Sequence, residues 1–287
     1  MLIPNIIFYF FETYFCPMKL VRWSLILLAF FTISCNGEGG EEDSPVDTKP
    51  PIPVKSWTLL SSIPHDTSYF TQGYEFYKGD LLIGTGNYGH SRLLKVQPLT
   101  GRVIKQVDLD PKHFGEGVTV LNDTIYQLTW KEHMVHIYSA RDLVKLREAP
   151  LNVEGWGATN DGKNIIVTNG SNQAFFYDPG NFQLIKTIDV TENGVPSVNL
   201  NELEYVDGFI YANQWQYHYI LKIDPSSGNV IAKYDMTDLV KKVEMEFPFL
   251  DVKNNAVLNG IAYNKETKKF YVTGKLWPLS YEVDLAP

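Results

Sequence analysis

Cysteine is almost missing from this 287-residue chain: there are two, Cys16 and Cys35, both in the first 35 residues. The rest therefore has no disulfide, no thiol nucleophile and no thiolate metal site. Histidine is scarce as well, with six dispersed copies. His133 and His136 fall on opposite faces of a strand, so no zinc site suggests itself. Positive charge is in deficit, with 25 Lys and Arg against 33 Asp and Glu and a net charge of −8. Leaving out the first 34 residues, whose charges are Lys19, Arg22 and Glu12, makes it −9. That balance argues against nucleic-acid partners, whose binding rests on cations that neutralise phosphate. No Gly-x-Ser-x-Gly elbow occurs, and Gly84-Thr-Gly-Asn-Tyr-Gly89 lacks the helix a phosphate cradle needs. The apolar run at Trp23-Ser-Leu-Ile-Leu-Leu-Ala-Phe-Phe-Thr-Ile-Ser34 is short for a membrane span.

That run does suit a targeting segment, because Lys19 and Arg22 precede it and small Ser34 precedes Cys35. It resembles a bacterial lipoprotein signal, which implies lipidation of Cys35 after cleavage and attachment to the cell envelope, facing the periplasm or the outer surface. Thr32 departs from the Leu usual there, and an ordinary cleaved signal is the alternative. Met18 is a candidate true start. Residues 36–53 are rich in Gly, acid and Pro, cannot bury enough apolar surface to fold, and read as a disordered tether. The expected organisation is a signal over 1–35, a tether over 36–53 and a folded body over 54–287.

The body is repetitive. Five copies of one motif occur: Phe70-Thr-Gln-Gly-Tyr-Glu-Phe76, Phe114-Gly-Glu-Gly-Val-Thr-Val120, Glu154-Gly-Trp-Gly-Ala-Thr-Asn160, Asn199-Leu-Asn-Glu-Leu-Glu-Tyr205 and Val257-Leu-Asn-Gly-Ile-Ala-Tyr263. Their aligned residues 73, 117, 157, 202 and 260 stand 44, 40, 45 and 58 apart. Turn pairs such as Asn122-Asp123 and Asp207-Gly208 then lead into further β-rich runs, four strands to a unit. Units of this size and grammar predict an all-β, five-bladed β-propeller with four antiparallel strands per blade. The fifth unit has room for three strands, so Ser56–Ser62 is expected to supply the fourth and close the ring. A short surface helix over Met236–Glu246 accounts for the long fourth step.

Strand direction then predicts where chemistry gathers. The start of each innermost strand and the end of the next one meet at one rim. Gln72, Glu116, Trp156, Asn201 and Asn259 stand at the first kind of position, and Asn87, Trp130, Trp215 and Lys275 at the second. One carboxylate, several amides, one ammonium and three indoles thus converge on one mouth of the channel. Singly, each has a plainer role: Glu116 as a solvated loop acid, Lys275 as a surface charge beside Trp277, the indoles as wedges between blades, Asn201 and Asn259 as inter-blade links. A structural divalent cation such as calcium, held in the channel by side-chain and carbonyl oxygens, also fits this architecture, with ligands the sequence does not name.

The chain resembles the plant and bacterial glutaminyl-peptide cyclotransferases, a five-bladed family. The resemblance rests on Phe70-Thr-Gln-Gly73, Tyr88-Gly89, Phe114-Gly-Glu-Gly117, Tyr126-Gln-Leu-Thr-Trp130, Gly155-Trp-Gly157, Leu200-Asn-Glu-Leu-Glu-Tyr-Val206, Asn213-Gln-Trp-Gln216, Leu258-Asn-Gly-Ile-Ala262 and Val272-Thr-Gly-Lys-Leu-Trp-Pro278. It implies a monomeric aminoacyltransferase that closes N-terminal glutamine of peptides or proteins into pyroglutamate and releases ammonia, with no metal required. By the same resemblance Glu116, Lys275 and Asn201 are the catalytic residues, and Phe70, Gln72, Phe114, Trp130, Trp156 and Trp215 bind substrate. Two other readings compete: a non-catalytic envelope propeller that holds a peptide or sugar, and a cation-dependent hydrolase of the lactonase type. The first has no need of a proton shuttle opposite an ammonium. The second needs several acids, and Glu116 is the single acid among the rim positions.

Overall fold

Alternating apolar residues between tight turns fold each repeat into a meander, seen in a computed structural model that describes residues 50–286. The signal segment, Cys35 and the tether as far as residue 49 lie outside the described residues. Blade 1 consists of Thr71–Tyr77, Asp80–Thr85, Arg92–Gln97 and Arg102–Asp108. Blade 2 consists of Gly115–Leu121, Thr124–Thr129, Met134–Ser139 and Lys145–Pro150. Blade 3 begins with the short Ala158–Asn160 and continues through Ile165–Thr168, Gln173–Tyr177 and Leu184–Asp189. Blade 4 holds Leu200–Val206, Phe209–Gln214, Tyr219–Ile223 and Val230–Asp235. Within every blade, neighbours in sequence pair antiparallel.

Blade 5 takes Leu258–Asn264, Lys269–Gly274 and Leu279–Leu285 from the region after blade 4 and Trp57–Pro64 from the region before blade 1. The closing strand pairs from Trp57↔Leu285 to Pro64↔Leu279, as expected apart from its exact bounds. An unforeseen fifth strand lies outside blade 4: Val54–Lys55 runs parallel to Val230–Asp235. The residues just before it are docked too, since the Pro50 and Pro53 carbonyls accept bonds from Asn193 Nδ2 and Lys233 N at 3.0 Å each.

Five apolar clusters stabilise the ring, one at each junction of adjacent blades. Fully buried Leu93, Ile125, Ile166 and Leu221 are typical members. Each such side chain contributes about 1.5–3 kcal/mol relative to exposure. The helix Thr237–Glu246 lays Leu239, Val240 and Val243 on the cluster joining blades 4 and 5, which explains the longer fourth step. Trp277 is wedged in the same cluster, its indole N–H donating to the Ala256 carbonyl at 2.7 Å.

Innermost strands approach one another so closely that the repeat Gly is a steric requirement. A Cβ on Gly157 would lie 1.9 Å from the Asn201 carbonyl oxygen. The fourth copy carries Glu202 instead, and its carboxylate accepts backbone N–H bonds from Tyr74 in blade 1 and Ile261 in blade 5, at 3.1 and 2.6 Å. Two further buried carboxylates join blades: Glu75 accepts from Val120 N at 3.0 Å and Glu204 from Tyr263 N at 3.2 Å. Burial pushes all three upward, Glu75 to about 7.

Candidate active site

A shared backbone device builds the rim. The first residue after the second strand donates its N–H to the residue that opens the motif: Gly86 to Phe70, Trp130 to Phe114, Trp215 to Asn199 and Lys275 to Val257, at 2.8–3.0 Å. The pairing of the first two strands then slips between Thr71 and Gly73, Gly115 and Val118, Leu200 and Leu203, and Leu258 and Ile261. These are β-bulges, which re-aim a side chain locally. Gln72 lies inside the first, and Glu116, Asn201 and Asn259 lie inside the others beside the repeat residues Gly117, Glu202 and Gly260, so the bulges fall on the positions that carry polar groups.

Nine side chains enclose a cavity of about 200 Å³ at this rim: Phe70, Gln72, Phe114, Glu116, Trp130, Trp156, Asn201, Trp215 and Lys275. All nine expected catalytic and substrate-binding residues are therefore brought together. The volume is below the roughly 300–1,000 Å³ of sites for drug-sized ligands, and it suits one residue of a peptide. Two other rim positions play different parts. Asn87 is exposed at a left-handed turn (φ 85) and lies outside the cavity. Asn259 is fully buried behind it, with Nδ2 donating to the Thr71 carbonyl at 3.0 Å and to Gln72 Oε1 at 3.3 Å. That bond fixes Gln72 and leaves its Nε2 as the free donor.

Aromatic edges form the walls. Phe114 meets Trp130 with ring centres 5.5 Å apart, and Trp156 meets Trp215 at 5.5 Å and a right angle. Gly170, at φ +79, lies flat beneath the Trp156 ring, where a Cβ would come within 2.6 Å of it. The Lys275 ammonium sits 4.5 Å from the Phe70 ring centre. Burial lowers it to about 8, against the opposing pull of Glu116. Glu116 is 5% exposed, and burial raises it well above the ordinary carboxylate range. Lys275 draws Glu116 back down, and Glu132 and Glu154 push it further up. Glu116 and Lys275 both line the cavity, and no ion pair within 4.0 Å joins them. The Asn201 Oδ1 and Trp156 Nε1 atoms are buried with no protein partner. Among the described residues no group of three or more His, Cys, Asp or Glu is arranged to hold a metal ion.

Two contributors, Glu132 and Glu154, carry no role in the sequence reading. Glu132 Oε2 accepts the Phe114 N–H at 3.2 Å, and its Oε1 accepts the Tyr88 hydroxyl at 3.0 Å. Glu154 Oε2 accepts the Trp130 indole N–H at 2.9 Å. The repeat register held a signal for Glu154: it precedes Trp156 by two residues, as Phe70 precedes Gln72 and Phe114 precedes Glu116.

The family described as Glutamine cyclotransferase matches residues 29–285. A glutaminyl-peptide cyclotransferase of Arabidopsis thaliana is 31% identical over 271 residues, 94% of this chain and 82% of its own. The crystal structure of Myxococcus xanthus glutaminyl cyclase superposes with a TM-score of 0.75 at 31% identity, covering 81% of this chain and 98% of that one. With the match running through all five repeats, the chain belongs to the glutamine cyclotransferase family.

Proposed function

We propose that this chain is a glutaminyl-peptide cyclotransferase that converts N-terminal glutamine of peptides or proteins into pyroglutamate and ammonia, with Glu116 as the proton shuttle. The observation that carries the reading is a one-residue cavity lined together by a raised carboxyl and a lowered ammonium that form no ion pair, between aromatic walls. Membership of the family supports the reaction class.

The substrate's α-amine must be neutral to attack, and five aromatic rings disfavour its ammonium form by excluding water. Holding the amine against the side-chain amide carbon supplies the proximity that ring closure needs. As the new C–N bond forms, Glu116 takes a proton from the α-nitrogen. It returns that proton to the departing amide nitrogen, which leaves as ammonia when its own C–N bond breaks. Lys275 and Asn201 donate to the amide oxygen while it carries developing negative charge. Asn201 Oδ1 accepts from a substrate N–H, and Gln72 Nε2, held outward by Asn259, orients the substrate.

Mass spectrometry of a Gln-initiated peptide incubated with purified protein tests the reading directly. The expected product is lighter by about 17 Da, one ammonia, and Glu116→Gln is expected to lower kcat about 1000-fold with a Tm no lower than that of wild type. Turnover that survives Glu116→Gln at the wild-type rate removes Glu116 from the mechanism. An unaltered peptide mass with wild-type protein removes the activity.

A further inference from the structure

The cavity is the right size for one residue, so whatever follows the N-terminal glutamine must leave through the mouth. Two half-buried carboxylates stand beside the cavity without lining it, each bonded to a residue that does. Glu132 lies just past Trp130, bonded to Phe114 N and to the exposed Tyr88 hydroxyl. Glu154 holds the Trp130 indole from the adjoining blade. The propeller's symmetry puts Glu154 where blades 1 and 2 carry Phe70 and Phe114, both of which line the cavity. Both acids are close enough to Glu116 to raise it.

No Lys, Arg or His nitrogen forms an ion pair with Glu132 or Glu154 within 4.0 Å among the described residues. The nearest cation in sequence, Lys131, is 3.9 Å from the Trp130 ring centre, engaged with the indole face. His133 directs its Nδ1 at the Val153 carbonyl, 2.9 Å away. Lys275 lines the cavity with Glu116, and there the Asn201 Oδ1 is buried with no protein partner.

We propose that Glu132 and Glu154 form an acidic collar that selects substrates by the charge of the residue following the N-terminal glutamine, favouring Lys or Arg and opposing Asp or Glu. This rests on the cyclotransferase reading of the same cavity. The collar is half-buried, so its charges are screened less than surface charges and more than core ones. Two such acids, acting on a cation in one substrate and an anion in another, produce a difference of about tenfold in kcat/KM at low salt. Screening reduces it, because the Debye length contracts from roughly 30 Å at 0.01 M to about 3 Å at 1 M salt.

The test compares Gln-Lys-, Gln-Ala- and Gln-Glu-initiated peptides of equal length on wild-type protein and on Glu132→Gln/Glu154→Gln. Glu154→Gln keeps an oxygen for the Trp130 indole N–H, and Glu132→Gln keeps one for the Phe114 N–H while its new amide N–H donates to the Tyr88 hydroxyl oxygen, so both variants remove the charge with little change of shape. The expected wild-type ratio of kcat/KM, Gln-Lys over Gln-Glu, is about tenfold at 10 mM salt and falls to about twofold or less at 0.5 M. In the double variant the ratio is expected near one at both. Equal kcat/KM for the three peptides on wild-type protein at low salt overturns the collar while leaving cyclisation standing. So does a ratio that is undiminished by salt, or one that the double variant keeps. Should no peptide be cyclised at all, the catalytic reading falls and the collar with it. The wild-type salt series needs no variant, so a double variant that folds poorly does not shield the proposal.

Discussion

At the scale of single residues, the decisive relation is between Glu116 and Lys275, because each perturbs the other and both are perturbed by burial. Lys275 at about 8 is charged at neutral pH and loses its proton as the pH rises through that value. An amine that stabilises the amide oxygen only while protonated gives kcat an alkaline limb near pH 8. Glu116 acts as a base only when ionised, and its raised position moves the acid limb above the ordinary carboxylate range. The two limbs belong to a coupled pair of groups. Lys275→Arg is expected to shift the alkaline limb to higher pH, since guanidinium stays charged to about 12.5 or beyond. The measurement is kcat against pH at saturating peptide, where ionisation of free substrate drops out. A limb that stays at pH 8 in Lys275→Arg belongs to another group, and Lys275 then serves binding alone.

Between neighbouring strands, the site depends on backbone devices that residue types announce unevenly. Strand direction sufficed to bring Gln72, Glu116, Trp156, Asn201, Trp130, Trp215 and Lys275 to one rim, since alternating hairpins leave no other arrangement. The bulges that aim Gln72, Glu116 and Asn201 were not legible, because the slip arises from pairing between strands and leaves no mark in either strand alone. Glu132 escaped notice for a related reason: its partners, Tyr88 and Phe114 N, come from other turns of the chain. Val54–Lys55 opens the expected body, yet its two residues are too few to announce a parallel pairing with blade 4. Gly170 tests how far such local geometry controls the pocket. Its positive φ and its contact with the Trp156 ring leave no room for a methyl group. Gly170→Ala is expected to cost about 1–3 kcal/mol of stability through backbone strain and crowding. By displacing the indole it should also lower kcat/KM roughly 10–100-fold. A lower Tm with kcat/KM untouched means that Trp156 makes no contact with bound substrate.

The described body is a ring closed by pairing Trp57–Pro64 with Leu279–Leu285, and that much followed from counting strands: three remained for blade 5, and one stood unused before the first motif. What counting strands could not reveal is how the channel is braced. Glu75, Glu202 and Glu204 lie on innermost strands and tie blades together through backbone N–H groups, a cross-ring arrangement that only the assembled toroid creates. These carboxyls couple the stability of the ring to pH. Glu75 rises from its ordinary 4.5 to about 7 on folding, chiefly by desolvation. Between those values the folded ring still holds the proton that the unfolded chain has released, so stability falls as pH rises. Below about 4.5 both states are protonated and the penalty is absent; above about 7 it is fully present. Glu202 and Glu204 shift in the same direction and add to the trend. The Tm of the wild-type protein is therefore expected to drop between pH 5 and 8. Glu75→Gln keeps an oxygen for the Val120 N–H and cannot ionise, so its Tm should exceed that of wild type at pH 8 and converge with it at pH 5. Calorimetry across that range decides the matter. A substitution that lowers Tm equally at both ends would show that Glu75 is ionised throughout and that its charge, bound to the neighbouring blade, stabilises the ring.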